Sequence, residues 1–318
     1  MKKTTSTPKR SVKRAPRNRT LTLSPSDRKK LLGSLITELP KRRRTKPVTG
    51  VACGDFQDWV KYLPVQTVDL LILDPPYNLT KTFGALKFQA RAEKTYTQWL
   101  HQVIDQLVPL LKPTASIYLC GDWRTSLSIM EVAREFFYVR NRITWEREKG
   151  RGAKSNWKNA HEDIWFCTMS SEYTFHVDQV KQRRPVIAPY RNPDGSPKDW
   201  DESHGGNYRD THPSNLWNDL SIPFWSMPEN TDHPTQKPEK LLAKLLLASS
   251  DKGDFVLDPF GGSGTTAVVA AKLHRQYLSI DLNKQYCLWT LKRLEMAKQD
   301  KSIQGYQDGV FWQRNSGK

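Results

Sequence analysis

The chain has 318 residues, with 50 Lys and Arg against 33 Asp and Glu, which gives a formal net charge of +17 at pH 7. This length suits one large domain with additions, and no segment is apolar enough to span a membrane, which excludes an integral membrane protein. The four cysteines contain no Cys-x-x-Cys pair, so the composition indicates reduced thiols in a cytoplasmic protein and suggests no metal site.

Most of the positive charge lies at the N-terminus. Residues 1–47 carry 16 Lys and Arg but only 2 Asp and Glu, a net charge of +14. Residues 1–19 are rich in Lys, Arg, Ser, Thr and Pro, and we expect a disordered basic tail. Such a tail either improves solubility or binds nucleic-acid phosphates without sequence preference. The second function is favoured because a polycation gains free energy from counterion release on DNA.

A short helix and a basic linker are predicted for residues 20–48. Ser24 is placed to cap the helix, Pro25 suits its first turn, and Asp27 can complete a reciprocal cap. Five apolar side chains would share one face of this helix and need a partner surface, either on the same chain or on a second subunit. They are Leu31, Leu32, Leu35, Ile36 and Leu39.

Strands and helices alternate from residue 49 to the C-terminus, which predicts an α/β fold with a mostly parallel, doubly wound sheet. Residues 49–169 form a first half and residues 233–318 a second half, while residues 170–232 between them lack clear periodicity. The predicted strands are residues 51–53, 70–73, 115–120, 139–145, 164–169, 255–257 and 276–281. The predicted helices are residues 93–111, 124–137, 237–250 and 265–273.

The tetrapeptide Asp74-Pro75-Pro76-Tyr77 follows the apolar strand of residues 70–73. It presents a carboxylate, a rigid turn and an aromatic ring at the edge where open α/β sheets bind ligands. Such a site suits chemistry on a planar ring that carries an amino group. Asp-Pro-Pro is also an ordinary way to end a strand, so the motif needs support from its context.

A second motif supplies that context. The strand of residues 255–257 leads into the glycine turn Asp258-Pro259-Phe260-Gly261-Gly262-Ser263-Gly264, then into a helix and a strand that ends at Asp281. This is the layout of a nucleoside-binding βαβ unit, with Asp281 placed to bind ribose hydroxyls. The glycine spacing fits neither a nicotinamide-dependent oxidoreductase nor a phosphate-binding P-loop. A ligand with a ribose and a cationic group fits better, and S-adenosyl-L-methionine is such a ligand.

The two motifs in this order resemble the amino-methyltransferases of DNA, and more narrowly their permuted β class, in which the catalytic half precedes the cofactor half. Asp232–Pro238 and Asn159–Phe166 are similar to two further blocks of that family. The resemblance covers about residues 50–300. It implies a Rossmann-like sheet of seven strands with one antiparallel strand near an edge, and a small target-recognition insertion at residues 170–232.

The resemblance also implies methyl transfer from S-adenosyl-L-methionine to the exocyclic amine of a flipped base. Asp74 and the carbonyl of Pro75 would accept the two N–H bonds of the amine, Pro76 would stiffen the turn, and Tyr77 would stack on the base. The implied cofactor residues are Asp55, Thr235, Lys237, Asp258, Pro259, Phe260, Gly262, Gly264 and Asp281. Asp55 would contact the adenine of the cofactor, and Thr235 and Lys237 its methionine carboxylate. Lys237 is alternatively a surface lysine in the first turn of a helix.

Two segments are predicted to contact DNA. Residues 140–158 carry a net charge of +5, and their candidate phosphate contacts are Arg147, Lys149, Arg151, Lys154 and Lys158, unless this is only a solvated loop. Residues 170–232 have a net charge of −4, but Arg183 and Arg184 could still read base edges. His161 and Glu162 are predicted to be structural and to connect a loop to the sheet.

The resemblance favours adenine N6 over cytosine N4 as the target, since family members with an initial Asp mostly methylate adenine. The implied partners are double-stranded DNA, a second copy of the chain in a homodimer, and a cognate restriction endonuclease that acts on the same site. A different class of function is an inactive DNA-binding subunit that provides specificity or regulation. The intact tetrapeptide and glycine turn argue against it.

Overall fold

A central β-sheet runs through the protein. The computed structural model describes residues 15–83, 86–147, 155–187, 189–202 and 206–313. The strands are β1 (Gly50–Cys53), β2 (Val68–Leu73), β3 (Lys81–Phe83), β4 (Leu86–Phe88), β5 (Leu111–Gly121), β6 (Tyr138–Glu146), β7 (His161–Thr168), β8 (Gln182–Pro185), β9 (Tyr208–Thr211), β10 (Leu216–Trp217), β11 (Phe255–Asp258), β12 (Gln276–Asp281), β13 (Tyr306–Gln307) and β14 (Val310–Trp312). The helices are α1 (Pro25–Leu32), α2 (Phe56–Val60), α3 (Glu93–Leu107), α4 (Ser126–Phe136), α5 (Glu239–Ser249), α6 (Thr265–Lys272) and α7 (Lys284–Gln299), with 3-10 turns at Val108–Leu110 and Val177–Val180.

The strand order of the central sheet is β1-β12-β11-β2-β5-β7-β6-β10. Every neighbouring pair is parallel except the two that contain β7, which is antiparallel to both β5 and β6. The predicted mostly parallel, doubly wound sheet with one antiparallel strand near an edge is therefore confirmed. The two-residue strand β10 adds an eighth strand to the seven predicted, because Leu216 and Trp217 pair with the end of β6.

Helices cover both faces of the sheet, which explains why residues 70–73 of β2 form a continuous apolar run. Leu71 and Leu73 point into a core with α3 and α4, while Leu70 and Ile72 point to the other face and pack with α5 and α6. All four of these side chains are at most 2% exposed. Fully burying such a side chain contributes roughly 1.5–3 kcal/mol, so β2 is firmly fixed and places Asp74 directly after it.

The predicted N-terminal helix exists, but it is shorter than the apolar stripe suggested. The reciprocal cap of Ser24 and Asp27 is present, and the helix ends at Leu32 with Gly33 as its C-cap. Leu31 and Leu35 pack against β1, α6 and α7 of the same chain, whereas Leu32 and Leu39 are each 41% exposed. The predicted helix is therefore wrong beyond Leu32, and the buried residues of the stripe cover the protein's own body rather than a second subunit.

The predicted basic tail extends too far. The backbone N–H of Arg19 donates to the carbonyl of Trp225 at 2.6 Å, and that of Leu21 donates to the carbonyl of Asn230 at 2.8 Å. Residues from Arg19 onward therefore belong to the folded body. The remainder of the tail prediction, for residues 1–14, lies outside the described residues.

Residues 170–232 contain short strands that the sequence did not predict. Strands β8 and β9 join the C-terminal strands in a small sheet of order β13-β14-β8-β9. Strands of two to four residues leave too few alternating positions for a periodic pattern to be recognised. The insertion therefore pairs with the C-terminal part of the chain, through β8 and β14.

Within the described residues, no helix is long and apolar enough to cross a membrane. The same residues contain no group of three or more His, Cys, Asp or Glu side chains arranged to bind a metal ion.

Candidate active site

The two sequence motifs meet at one edge of the sheet. Strand β11 lies between β2 and β12 and is parallel to both, so Asp74, Asp258 and Asp281 emerge at the same side. They line one cavity of about 550 Å³. Parallel neighbouring strands end together, and their carboxyl ends form the ligand-binding edge of an α/β sheet. The cavity is therefore the candidate site.

The glycine turn lies between β11 and α6 in a conformation that requires glycine. Gly262 and Gly264 have φ angles of 53° and 77°, in the left-handed region that side chains disfavour. A Cβ atom at Gly264 would lie 2.1 Å from the side chain of Thr290. The carboxylate of Asp281 accepts hydrogen bonds from the backbone N–H groups of Gly262, at 2.9 Å, and Asn283, at 2.7 Å. The turn and Asp281, the last residue of β12, therefore form one rigid unit.

Two acids of this unit have unusual environments. Asp258 accepts a hydrogen bond from the backbone of Phe260 at 3.1 Å, and burial raises its pKa to about 7. Burial also raises the pKa of Asp281 to about 6. Buried carboxylates with raised pKa values favour a ligand that brings hydroxyl groups or positive charge.

The other predicted cofactor residues line the same cavity. Asp55 caps α2 by accepting the N–H of Gln57 at 3.0 Å, and the ring centroid of Phe260 lies 5.0 Å from that of Phe56. Pro259 and Thr235 are also in the cavity wall. All of the predicted cofactor residues except Gly264 contribute directly to this wall, and Gly264 caps α6 behind it.

The predicted catalytic tetrapeptide is held in a network of buried polar groups. The ammonium of Lys237 donates to Oδ2 of Asp74 at 2.6 Å and to the hydroxyl of Tyr77 at 3.1 Å. That hydroxyl lies 3.0 Å from Oδ1 of Asp74. The carbonyl of Pro76 accepts a hydrogen bond from the hydroxyl of Tyr96 at 3.1 Å, which fixes the Pro-Pro turn.

Lys237 is not the surface lysine that the sequence left open as an alternative, because its side chain is only 9% exposed. Its ammonium faces Asp74 and Glu162 instead of solvent. The predicted contact between Lys237 and a cofactor carboxylate stays a prediction, but the structure gives this side chain a different set of partners. These strong partners outweigh the effect of burial and hold the pKa of Lys237 above its ordinary value.

Glu162 belongs to the same network, although the sequence predicted only a structural role. Its carboxylate accepts from Tyr77 at 3.1 Å, lies 3.3 Å from Nζ of Lys237, and pairs with Arg147. Burial alone would raise the pKa of Glu162, but Lys237 and Arg147 outweigh it and hold this pKa below its ordinary value. The missed signal is strand direction: β7 is antiparallel, so its first residues lie at the active edge.

Of the five basic residues predicted to contact DNA phosphates, the structure describes Arg147 and Lys158. The side chain of Arg147 is 16% exposed and lies in the cavity wall through its ion pair with Glu162, and Lys158 is half-buried near the surface. Lys149, Arg151 and Lys154 lie outside the described residues.

The two arginines predicted to read base edges, Arg183 and Arg184, make contacts within the small sheet. Arg183 makes a two-pronged pair with Asp210, both bonds at 2.7 Å, and Arg184 donates to Gln182 at 2.8 Å. Both side chains have partners inside the protein, and their role in reading base edges stays a prediction.

Comparisons with known proteins agree with this geometry. The family of N6/N4 DNA methylases matches residues 68–292. The DNA adenine methyltransferase YhdJ of Escherichia coli K12 is 34% identical over 252 residues, which are 77% of this chain and 82% of the relative. The type II methyltransferase M.HpaI of Haemophilus parainfluenzae is 32% identical over 259 residues, 80% of this chain and 75% of the relative.

Solved structures share the fold. The PvuII DNA methyltransferase, which is cytosine-N4-specific, superposes with a TM-score of 0.57 at 17% identity over 80% of this chain and 89% of its own. The protein TTHA0409 of Thermus thermophilus, complexed with S-adenosyl-L-methionine, has a TM-score of 0.53 at 21% identity over 85% of this chain and 100% of its own. With a family match that spans most of the chain and a relative above 30% identity, the protein belongs to the family of N6/N4 DNA methylases.

Proposed function

We propose that this DNA methylase transfers a methyl group to the N6 amine of adenine within a specific sequence of double-stranded DNA. The observation that carries the proposal is the meeting of Asp74 and the glycine turn in one cavity. Adenine is favoured over cytosine because the first motif position is Asp, and because the relative YhdJ is named a DNA adenine methyltransferase. M.HpaI is named a type II methyltransferase, which supports a role in a restriction-modification system.

S-adenosyl-L-methionine is the methyl donor of this family, and when bound it supplies an electrophilic methyl group on a sulfonium. The cavity fits this ligand, because two buried acids favour a partner with hydroxyl groups and positive charge. Asp281 would bind the ribose hydroxyls, Asp55 the adenine amine, and Phe260 would pack on the ligand. The backbone of Gly262 would leave room for close approach, while Gly264 supports the turn against Thr290.

The tetrapeptide would bind and orient the target amine. The lone pair of an exocyclic amine is delocalised into the ring, and hydrogen bonds from both of its N–H groups help to release it. Asp74 would accept one of these bonds and the carbonyl of Pro75 the other. Because Tyr96 fixes the adjacent carbonyl of Pro76, this pair of acceptors is pre-organised.

The target base must leave the duplex to reach Asp74, as it does in other enzymes that modify bases. Tyr77 would then stack on its ring. Lys149, Arg151, Lys154 and Lys158 would hold the DNA phosphates, whereas Arg147 is engaged in its ion pair with Glu162. The further partners that we propose are a second copy of the chain and a restriction endonuclease with the same recognition sequence.

One experiment tests the proposal. The purified protein is incubated with S-adenosyl-L-methionine and unmethylated genomic DNA, the modified base is identified by mass spectrometry, and its context by single-molecule sequencing. We expect N6-methyladenine in one sequence context, and none with Asp74→Ala. N4-methylcytosine would overturn the choice of base. A protein that binds DNA but neither binds the cofactor nor methylates would indicate the inactive DNA-binding subunit.

A further inference from the structure

Four charged side chains alternate in sign along a buried row at the active edge. The row runs from Asp74 to Lys237, at 2.6 Å, then to Glu162, at 3.3 Å, and ends at Arg147. Their side chains are 4–22% exposed. The two acids and two bases compensate each other, so the row is neutral as a whole.

The hydroxyl of Tyr77 lies between the two acids of this row. Its oxygen is 3.0 Å from Oδ1 of Asp74 and 3.1 Å from Oε2 of Glu162. A hydroxyl group has one hydrogen to donate, so it can donate to only one of these carboxylates at a time. The ammonium of Lys237 has three hydrogens and three acceptors within reach: Asp74, Tyr77 and Glu162.

This arrangement creates a competition at Asp74. Both of its carboxylate oxygens already accept hydrogen bonds, one from Tyr77 and one from Lys237. A target amine that arrives at Asp74 must compete with these two donors for the carboxylate oxygens. The hydroxyl of Tyr77 can turn away without losing its hydrogen bond, because Glu162 offers a second acceptor at nearly the same distance.

We propose that Glu162 is a positioning residue for methyl transfer. It accepts a hydrogen bond from the hydroxyl of Tyr77 and also contacts the ammonium of Lys237. Asp74 is then able to accept a hydrogen bond from the target amine. The inference rests on the proposed function, since it requires an amine to reach Asp74. Without the negative charge of Glu162, both donors turn to Asp74 and compete with the amine for its carboxylate oxygens.

The test measures single-turnover methyl transfer at saturating DNA and cofactor, together with the Kd of S-adenosyl-L-methionine. For Glu162→Gln we expect the transfer rate to fall about 10- to 100-fold, the size of one lost charged hydrogen bond, while the Kd stays within about twofold. Glu162→Asp keeps the charge and should recover part of the rate. Asp163→Asn is the matched control, because the neighbouring Asp163 is also buried but bonds Ser126 and Thr144.

A second pair of variants keeps the test valid if Glu162→Gln folds poorly because Arg147 is left buried without a carboxylate. Arg147→Met combined with Glu162→Gln keeps the row neutral and should lose the same rate. In a Tyr77→Phe background, which lacks the hydroxyl, Glu162→Gln should cost clearly less than in the wild type.

Two results would overturn the inference: wild-type transfer rates in the neutral double variant, or strictly additive losses for Tyr77 and Glu162. An equal loss in Asp163→Asn would reduce Glu162 to a general structural role. A wild-type protein that methylates no DNA would instead refute the proposed function, and the inference with it.

Discussion

Lys237 lies near the proposed cofactor site, but its contacts are with residues proposed to bind and position the target base. Its ammonium is directed at Asp74 and Glu162, across a separation of 163 residues in the case of Asp74. We expect Lys237→Met to lower the methyl-transfer rate at least tenfold, because the buried acids lose their cation, and to leave the Kd of S-adenosyl-L-methionine nearly unchanged. Single-turnover kinetics and calorimetric binding measure the two quantities. A weaker Kd with an unchanged rate would restore the predicted contact with the cofactor carboxylate.

Asp258 should make stability depend on pH. Burial raises its folded-state pKa to about 7 from an ordinary 3.8, so the folded protein binds a proton more tightly than the unfolded chain. Its contribution to stability is therefore complete below about pH 4 and is lost as the pH rises through about 7. Asp258→Asn keeps the acceptor oxygen without the charge. It should stabilise the protein at pH 8 by up to about 4 kcal/mol and far less at pH 5, measured by urea unfolding. An equal effect at both pH values would contradict the raised pKa.

The residues that could be predicted from sequence are those whose position follows from one strand. Asp74 and Asp281 each come directly after an apolar run, so their place at the sheet edge follows from local pattern. Glu162 could not be predicted in the same way, since its contacts depend on the antiparallel direction of β7. The sequence contains the residue but no local signal for that direction.

At the level of elements, long strands were predictable and short ones were not. Strands β2, β11 and β12, which carry the two motifs, contain apolar runs that the sequence shows clearly. Strands β8, β9 and β10 have only two to four residues each and show no such pattern. The helix α3 also ends before its predicted limit, because Pro109 lies in a 3-10 turn and β5 begins at Leu111. Tertiary pairing determines these boundaries more than local propensity does.

Asp219 attaches the insertion to the main body and gives a prediction at this scale. It follows β10 and accepts from Lys244 on α5 at 2.7 Å and from Lys240 at 2.8 Å, with its side chain 2% exposed. Asp219→Ala leaves two buried ammonium groups without their carboxylate and should lower the free energy of unfolding by about 3–5 kcal/mol. Urea unfolding measures this loss. Adding Lys244→Met should recover part of it, and an undiminished loss in the double variant would contradict the ion-pair explanation.

At the scale of the whole molecule, the N-terminal region has two parts: residues from Arg19 onward, which belong to the folded body, and the basic residues 1–14 before them. Leu31 and Leu35 are buried against the chain's own body, so the apolar stripe no longer supports a homodimer. The homodimer stays a prediction that light scattering at micromolar concentration can test. Residues 19–21 bind the segment that ends at Asn230, shortly before Lys237, and so form part of the scaffold behind the site.

The remaining basic segment, residues 1–14, carries 6 Lys and Arg and no acidic residue. Its deletion spares the hydrogen bonds of Arg19 and Leu21 with the body, so the fold should be unaffected. We expect the shortened protein to bind all DNA sequences more weakly by the same factor, because contacts with phosphates do not depend on sequence. The slope of log K against log salt concentration should decrease in magnitude by up to about 5, as expected when six phosphate contacts are lost. Titrations with cognate and random duplexes at several salt concentrations measure both effects, and the single-turnover rate at saturating DNA is the control. A loss of affinity confined to the cognate duplex would contradict this prediction, because it would assign sequence recognition to the basic segment.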